Sequence, residues 1–350
     1  MKEEPRSAPP QAAHHKPGGG FKNPWPGAEQ HGIGGLLRWT AARAVAGLRG
    51  GDGPAPPTPE TFRPPRAEPS FARPRLDAAR LSATWVGHST WLVQVGGLNV
   101  LLDPVWGERA SPVAFAGPKR WTPPGVAFDA LPPIDLVLVS HDHYDHFDDP
   151  TIRRLARAHA DARWLAPLGV AARLRERGVT RAEELDWWDA RTVGGRAGVR
   201  ATCAPAQHFS GRTPFDRDAT LWGGWVLRDE DAGRGVWFVG DTGRHPDFGA
   251  IARRLGPFDL VLMPVGAYEP RWFMRPVHVN PEDAVAAYRE IAAAHGAPAM
   301  PLMAGMHWGT FKLTDEPIDE PPRRTRQLWE LAKLPADKLW MPDFGETRII

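Results

Sequence analysis

Residues 134–146 read IDLVLVSHDHYDH, an apolar run that passes without a break into His141, Asp142, His143, Tyr144, Asp145 and His146. The apolar part has the texture of a buried strand. Asp149-Pro150-Thr151, just beyond, reads as a capped helix start with proline at the first helical position. The polar cluster therefore lies in a strand-to-helix loop. So many imidazoles and carboxylates cannot enter an apolar core unless partners offset their lost hydration. A divalent metal is such a partner: neutral imidazole and carboxylate oxygen are ordinary zinc ligands. The spacing His-x-His-x-Asp-His also lets one tight loop point to two neighbouring positions. The other reading, a solvated polar loop, loses ground once the rest of the chain is read.

Three later apolar runs repeat the feature. Residues 199–205 (VRATCAP) lead to Gln207-His208, residues 235–240 (GVWFVG) to Asp241, and residues 299–306 (AMPLMAGM) to His307. Four separated strands that each end in a histidine or aspartate are hard to explain by packing, and follow if those ends converge on one site. Upstream, residues 82–86, 90–95 and 99–102 look like successive strands opening a sheet, with Asp103 ending the third. Asp103 reads equally as a group that orients a metal-bound histidine or as a plain turn aspartate. His88 has the same two readings, and without a spaced partner the structural one is preferred. Residues 163–166 and 260–265 add further strands, so the elements alternate as in an α/β fold. Asn280-Pro281-Glu282-Asp283 has the cap, proline and acidic first turn of a helix whose inner face carries Val285, Tyr288 and Ile291. His278 falls just before that cap, beside the expected site. A helix around residues 325–333 and a short terminal strand close the chain.

Composition bounds the rest. The 350 residues are 42% hydrophobic, enough for a substantial core. A net charge of +2 offers no global basic field for nucleic acid. The single cysteine, Cys203, cannot form an internal disulfide and fits a reducing compartment. Neither a secretory leader nor a spanning helix is legible, so a cytoplasmic protein is expected. Sixteen tryptophans against three tyrosines suit either a large core or an apolar substrate mouth. Residues 1–80 hold 14 of the 38 prolines and are expected to be an arm without regular structure, apart from one helix. In that helix, residues 33–49, Leu36, Leu37, Trp39, Ala41, Ala44, Val45 and Leu48 fall largely along one side, with Arg38, Arg43 and Arg49 interspersed. Such a stripe docks on the catalytic domain or lies on a membrane surface. In the membrane version Trp39 and the leucines enter the headgroup boundary while the arginines meet phosphates.

These residues resemble a known family. HDHYDH with His208, Asp241 and His307 is similar to the binuclear pattern of the metallo-β-lactamase fold. Residues 131–146, GPKR at 117–120, ELDWW at 184–188, GDTG at 240–243, residues 256–274, HVNPEDAV at 278–285 and HWGTF at 307–311 resemble the N-acylphosphatidylethanolamine-hydrolysing phospholipase D family. The likeness begins near residue 21 and runs almost to the end. It implies a four-layer αββα sandwich over residues 81–350 and two zinc ions. One ion is held by His141, His143 and His208 and the other by Asp145, His146 and His307, with Asp241 shared. It further implies hydrolysis of a membrane phospholipid to an N-acylethanolamine and phosphatidic acid by metal-bound hydroxide. Asp145, Asp241 and His278 then serve catalysis, and Tyr144 and His278 meet the substrate phosphate. Peripheral contact with the inner membrane surface is expected, and a homodimer is an assembly open to the chain. Two other readings stay open: a binuclear zinc hydrolase of another ester such as a lactone, and a non-enzymatic metal-binding partner protein.

Overall fold

The computed structural model describes residues 12–49, 56–194, 198–296 and 300–350. One sheet takes β1 (Ser82–Gly87), β2 (Thr90–Val95), β3 (Leu98–Leu102), β4 (Leu136–Leu138), β5 (Arg163–Pro167) and β6 (Ala182–Leu185) in chain order. A second takes β7 (Ala190–Val193), β8 (Val199–Ala204), β9 (Gly224–Asp229), β10 (Arg234–Phe238), β11 (Leu260–Pro264), β12 (Leu302–Met306) and β13 (Leu339–Trp340). The last strand, β14 (Thr347–Ile349), returns to pair with β1, so each sheet has seven strands. Both sheets switch in the same place, antiparallel through their first half and parallel from β3 to β6 and from β10 to β13.

The central strands are buried on both faces, and their period of two sorts the side chains. Trp91, Val93, Leu136 and Leu138 join the core shared with the second sheet, whereas Leu92, Val137 and Val139 face outward onto helices. α1 (Ile33–Arg49) belongs to the arm. Residues of α2 (Asp149–Ala158) and α3 (Val170–Arg175), among them Ile152, Leu155, Val170 and Leu174, fill the outer core of the first sheet. α4 (Phe248–Leu255) and, beyond the short α5 (Arg271–Met274), α6 (Pro281–His295) pack together and bring Phe248, Ile251, Val285 and Tyr288 to the second sheet. α7 (Glu320–Leu331) packs on α6. Two mixed sheets flanked by helices are the expected four-layer α/β sandwich. Half of the sixteen tryptophans are fully buried in its core: Trp85, Trp91, Trp164, Trp222, Trp225, Trp237, Trp329 and Trp340.

Several boundaries differ from the reading of the sequence, for local reasons. The cap of α2 is Asp148 rather than Asp149, because its carboxylate accepts both Thr151 N (3.2 Å) and Gly107 N (3.0 Å). α7 begins at Glu320, ahead of the expected residue 325, since Pro321 and Pro322 sit in a first turn that needs no N–H from them. β6 (AEEL) and β7 (ARTV) escaped because edge strands carry charge instead of an apolar pattern.

Outside α1, the described arm residues form turns and isolated bridges. The apolar residues of α1 do not share one face as expected. Trp39 is 8% exposed, packs with Met274 and Val277, and donates from its indole N–H to Asp315 (2.6 Å). Arg43 pairs with the same carboxylate. Leu36, Leu37 and Val45 are 46%, 63% and 47% exposed. Trp39 therefore braces the helix on the protein and cannot enter a bilayer. The side chains of Ala44, Leu48 and Arg49 lie outside the described residues.

Asp148→Ala removes the α2 cap and strands Gly107 N; the expected cost is about 1–3 kcal/mol, read as a lowered urea midpoint at constant slope.

Candidate metal centre

The parallel arrangement decides where the ligand-type residues go. β4 runs out into Ser140 and His141, and β8, β10 and β12 run out into His208, Asp241 and His307, so one sheet supplies the HDHYDH loop and the other sheet faces it with three more residues. Backbone approach is close. Gly240 (φ 70°) precedes Asp241, and a Cβ on it would lie 2.9 Å from Gly223 O. A Cβ on Gly266 would strike His307 O at 2.0 Å. His307 itself has φ 64°, held by a bond from its N–H to His88 O (3.0 Å).

Within the loop, alternate residues diverge. His141 and His143 turn inward with His208: His143 Nδ1 lies 2.9 Å from His141 Nε2 and 3.2 Å from His208 Nε2. Asp142 turns the other way and accepts Gly211 N and Thr220 Oγ1. Asp145, His146 and His307 make a second group, with His307 Nε2 3.2 Å from His146 Nε2 and both 3.5 Å from Asp145 Oδ2. Asp241 Oδ2 stands between the groups, 3.0 Å from His307, 3.2 Å from His146 and 3.8 Å from His208. All seven expected ligand positions thus converge.

The imidazoles are aimed by what holds their far nitrogens. His141 Nδ1 donates to Ser140 Oγ (2.9 Å), His208 Nδ1 to Val277 O (2.9 Å), and His146 Nδ1 to Asp103 Oδ2 (2.6 Å). Each Nε2 consequently faces the centre, as a lone pair on His141 and His208. Asp103, buried at φ 38°, also takes Ser140 N and Ser140 Oγ, which selects its orienting reading over the turn reading. Burial pushes His143 down to about 4, His208 and His278 to about 3, and His141 well below the ordinary value. These rings are neutral, the form that binds metal. His146 and His307 differ. Desolvation opposes their charge, yet Asp241 and Asp145 outweigh it and raise His307 to about 9 and His146 well above its usual range. Without a cation, these two rings carry the positive charge the carboxylates demand. Asp241 Oδ1 is buried with no partner. Converging nitrogen lone pairs, an orphaned carboxylate oxygen and a mixed N/O donor set all suit divalent metal.

His278 lies in the site as expected: its Nδ1, without a hydrogen-bond partner, is 3.9 Å from Asp241 Oδ2, and its ring is 5.0 Å from that of His208. Tyr144 is not drawn into the donor cluster. Its hydroxyl donates to Arg212 O (3.1 Å) and its ring is covered by the Arg212 guanidinium. His88, taken from the sequence as structural, stands beside the site and donates from Nε2 to Asp145 Oδ2 (2.9 Å). A signal existed: His88 has φ 53° in the two-residue turn between β1 and β2, where glycine or asparagine is the usual choice. Phe209 went unread; its ring packs on His143 at 4.4 Å. It also lines a cleft of about 1050 Å³ between the arm and residues 209–218, walled by Trp25, Leu36 and Trp222, with Lys22, Arg212, Arg217, Glu29 and Asp218 as its charged lining.

A family model described as a beta-lactamase superfamily domain matches residues 98–308. The chain is 38% identical over 258 residues to N-acyl-phosphatidylethanolamine-hydrolyzing phospholipase D 1 of Caenorhabditis elegans, covering 71% of this chain and 70% of that protein. An uncharacterized protein of Mycobacterium tuberculosis is 42% identical over 262 residues, with 74% and 66% covered. A metal-dependent hydrolase of Nitratidesulfovibrio vulgaris is 32% identical over 233 residues, with 67% and 82% covered. Among solved structures, a metallo hydrolase from Ignicoccus hospitalis superposes with a TM-score of 0.56 at 21% identity, over 77% of this chain and 98% of that one, which speaks for the fold alone.

Two outcomes are expected. Asp103→Asn should lower metal affinity about 10–100-fold in chelator competition, since His146 loses its orienting acceptor; unchanged affinity would return Asp103 to a turn role. Because His146 and His307 are protonated in the metal-free protein, metal uptake at pH 7 should release protons to an indicator dye, and affinity should rise with pH until His307 titrates near 9.

Proposed function

We propose that this chain, which belongs to the N-acylphosphatidylethanolamine-hydrolysing phospholipase D family of the beta-lactamase superfamily and is a metal-dependent hydrolase, is a binuclear zinc phosphodiesterase. Its substrate class is the N-acylphosphatidylethanolamine-like phospholipids, and its products are an N-acylethanolamine and phosphatidic acid. The observation that carries the reading is the junction at Phe209: its ring packs on His143 of one donor group, which shares Asp241 with the other, and it lines a large, partly apolar cleft whose charged residues are Lys22, Arg212, Arg217, Glu29 and Asp218. His141, His143 and His208 would hold one ion and Asp145, His146 and His307 the other, with Asp241 within reach of both groups. Paired zinc ions bound there would supply Lewis acidity to a phosphoryl oxygen and would bring the ionisation of water toward neutral pH.

The side chains then have distinct tasks. His278 presents a neutral imidazole beside Asp241 and is placed to hydrogen-bond the phosphate or leaving oxygen. His88 positions Asp145 through its hydrogen bond. Lys22 and Arg217 offer charge to the headgroup, while Trp25, Leu36 and Trp222 give an acyl chain an apolar wall. Tyr144 contributes to substrate contact through the loop it holds at Arg212.

A lipid substrate requires approach to a membrane, and no helix among the described residues is long and apolar enough to cross one. We assign the contact to the rim formed by Leu36 and Leu37 of α1 and by Phe215, which is 97% exposed on the loop that lines the cleft. The enzyme is then a cytoplasmic protein that binds the inner membrane surface reversibly, with the arm (residues 1–80) carrying part of that surface and residues 81–350 the chemistry.

Hydrolysis in isotopically labelled water should place the label in the phosphate product; label in the released ethanolamide would mean cleavage at carbon. A panel that includes a lactone decides between ester classes, and turnover of the lactone alone would overturn the phospholipid assignment. His278→Gln should lower kcat roughly 10²-fold or more with both metals retained, as for a group acting on substrate; metal loss would make it a ligand. Leu37→Glu, which leaves the Trp39 anchor intact, should weaken vesicle binding and vesicle activity while sparing a short-chain soluble phosphodiester. Equal vesicle activity would remove α1 from the membrane rim.

A further inference from the structure

A second histidine cluster sits outside the candidate metal centre and shares no residue with it. His14 Nε2 lies 2.6 Å from Asp186 Oδ1, and His15 Nε2 lies 2.8 Å from Asp186 Oδ2. The three donor atoms are all within 4.8 Å of one another. Neighbouring histidines in an extended chain point to opposite sides. Here a turn closed by His15 N to Ala12 O, with the bridge from His15 to Phe21, swings both rings to one carboxylate. The supports are firm: His14 is buried and stacks on Trp187 at 4.2 Å, Phe21 meets His15 edge-on, and Trp187 N holds Asp186 Oδ1 at 2.7 Å. The side chains of His15 and Asp186 are 24% and 25% exposed, so one side of the cluster is open to water.

We propose that His14, His15 and Asp186 form a separate divalent-metal site, of zinc type, that staples the arm to the catalytic domain. Two imidazoles and one carboxylate are a sufficient protein share of a zinc coordination sphere, with solvent on the open side completing it. The staple has a consequence for the main centre. Beyond Phe21 the arm runs directly to Asn23 and Gln30, whose side-chain amides both donate to His208 O, while Asn23 Oδ1 accepts His208 N. The arm therefore clamps the backbone of a residue in the main donor cluster, and metal at the arm site holds that clamp in place.

The test counts zinc in the purified full-length protein and in His14→Gln/His15→Gln, after equilibration with zinc and gel filtration, by elemental mass spectrometry. The expected result is one equivalent fewer in the variant, whatever the count in the wild type. Limited proteolysis within residues 12–30 should also be faster in the variant, and faster in wild type once a mild chelator has removed the extra ion. If the double variant does not fold, His15→Gln, which alters the more exposed ring alone, carries the comparison. Equal zinc content in wild type and in the folded variant overturns the proposal and leaves the cluster a hydrogen-bonded clamp.

Discussion

Everything near the centre of this molecule answers to one electrostatic constraint: imidazole lone pairs and two carboxylates are held within hydrogen-bond range of each other, away from water. Burial penalises each charge, and the carboxylates Asp145 and Asp241 stay ionised only because positive charge is close. In the absence of a cation that charge is provided by His146 and His307. A divalent ion in the same place would supply the charge that the ring protons supply here. The arrangement also explains the strained backbone around it: His88, Asp103 and His307 all adopt positive φ, a cost that persists only where surrounding structure determines it.

The sandwich supplies that determination. Each sheet changes from antiparallel to parallel pairing, and the strands that deliver His141, Asp241 and His307 all lie in or border the parallel halves. No strand contributes more than one cluster of donors, so the site exists only while the sheets stay packed. The shared core of Trp85, Trp91, Trp225 and Trp237 is therefore part of the site's geometry even though none of these rings carries a donor of the cluster. Asp103 shows the coupling at residue scale: it ends a strand, caps the turn at Ser140 and aims His146 with the same carboxylate.

The arm is tied to the same site. α1 is fastened by Trp39 and Arg43 to Asp315, and the segment before it reaches the backbone of His208 through Asn23 and Gln30. One stretch of chain thus connects an exposed apolar rim, a cleft wall and the support of a donor residue. The exposed rim and the site geometry are joined through packed side chains.

The sequence by itself determined the alternation of strands and helices, the strand ends that carry His141, His208, Asp241 and His307, and the cap of α6 at Asn280. These are local properties: apolar periodicity, turn chemistry and ligand spacing survive in a one-dimensional reading. It could not assign Asp103, His88 or Phe209, whose roles depend on neighbours 43, 57 and 66 positions away along the chain. Nor could it place Trp39, because an amphipathic stripe has the same pattern against protein or lipid and only the docked Asp315 carboxylate tells them apart. Which histidines are neutral and which are charged was likewise decided by tertiary structure, since the pKa of a buried ring follows from the carboxylates that the fold, and not the chain order, sets beside it.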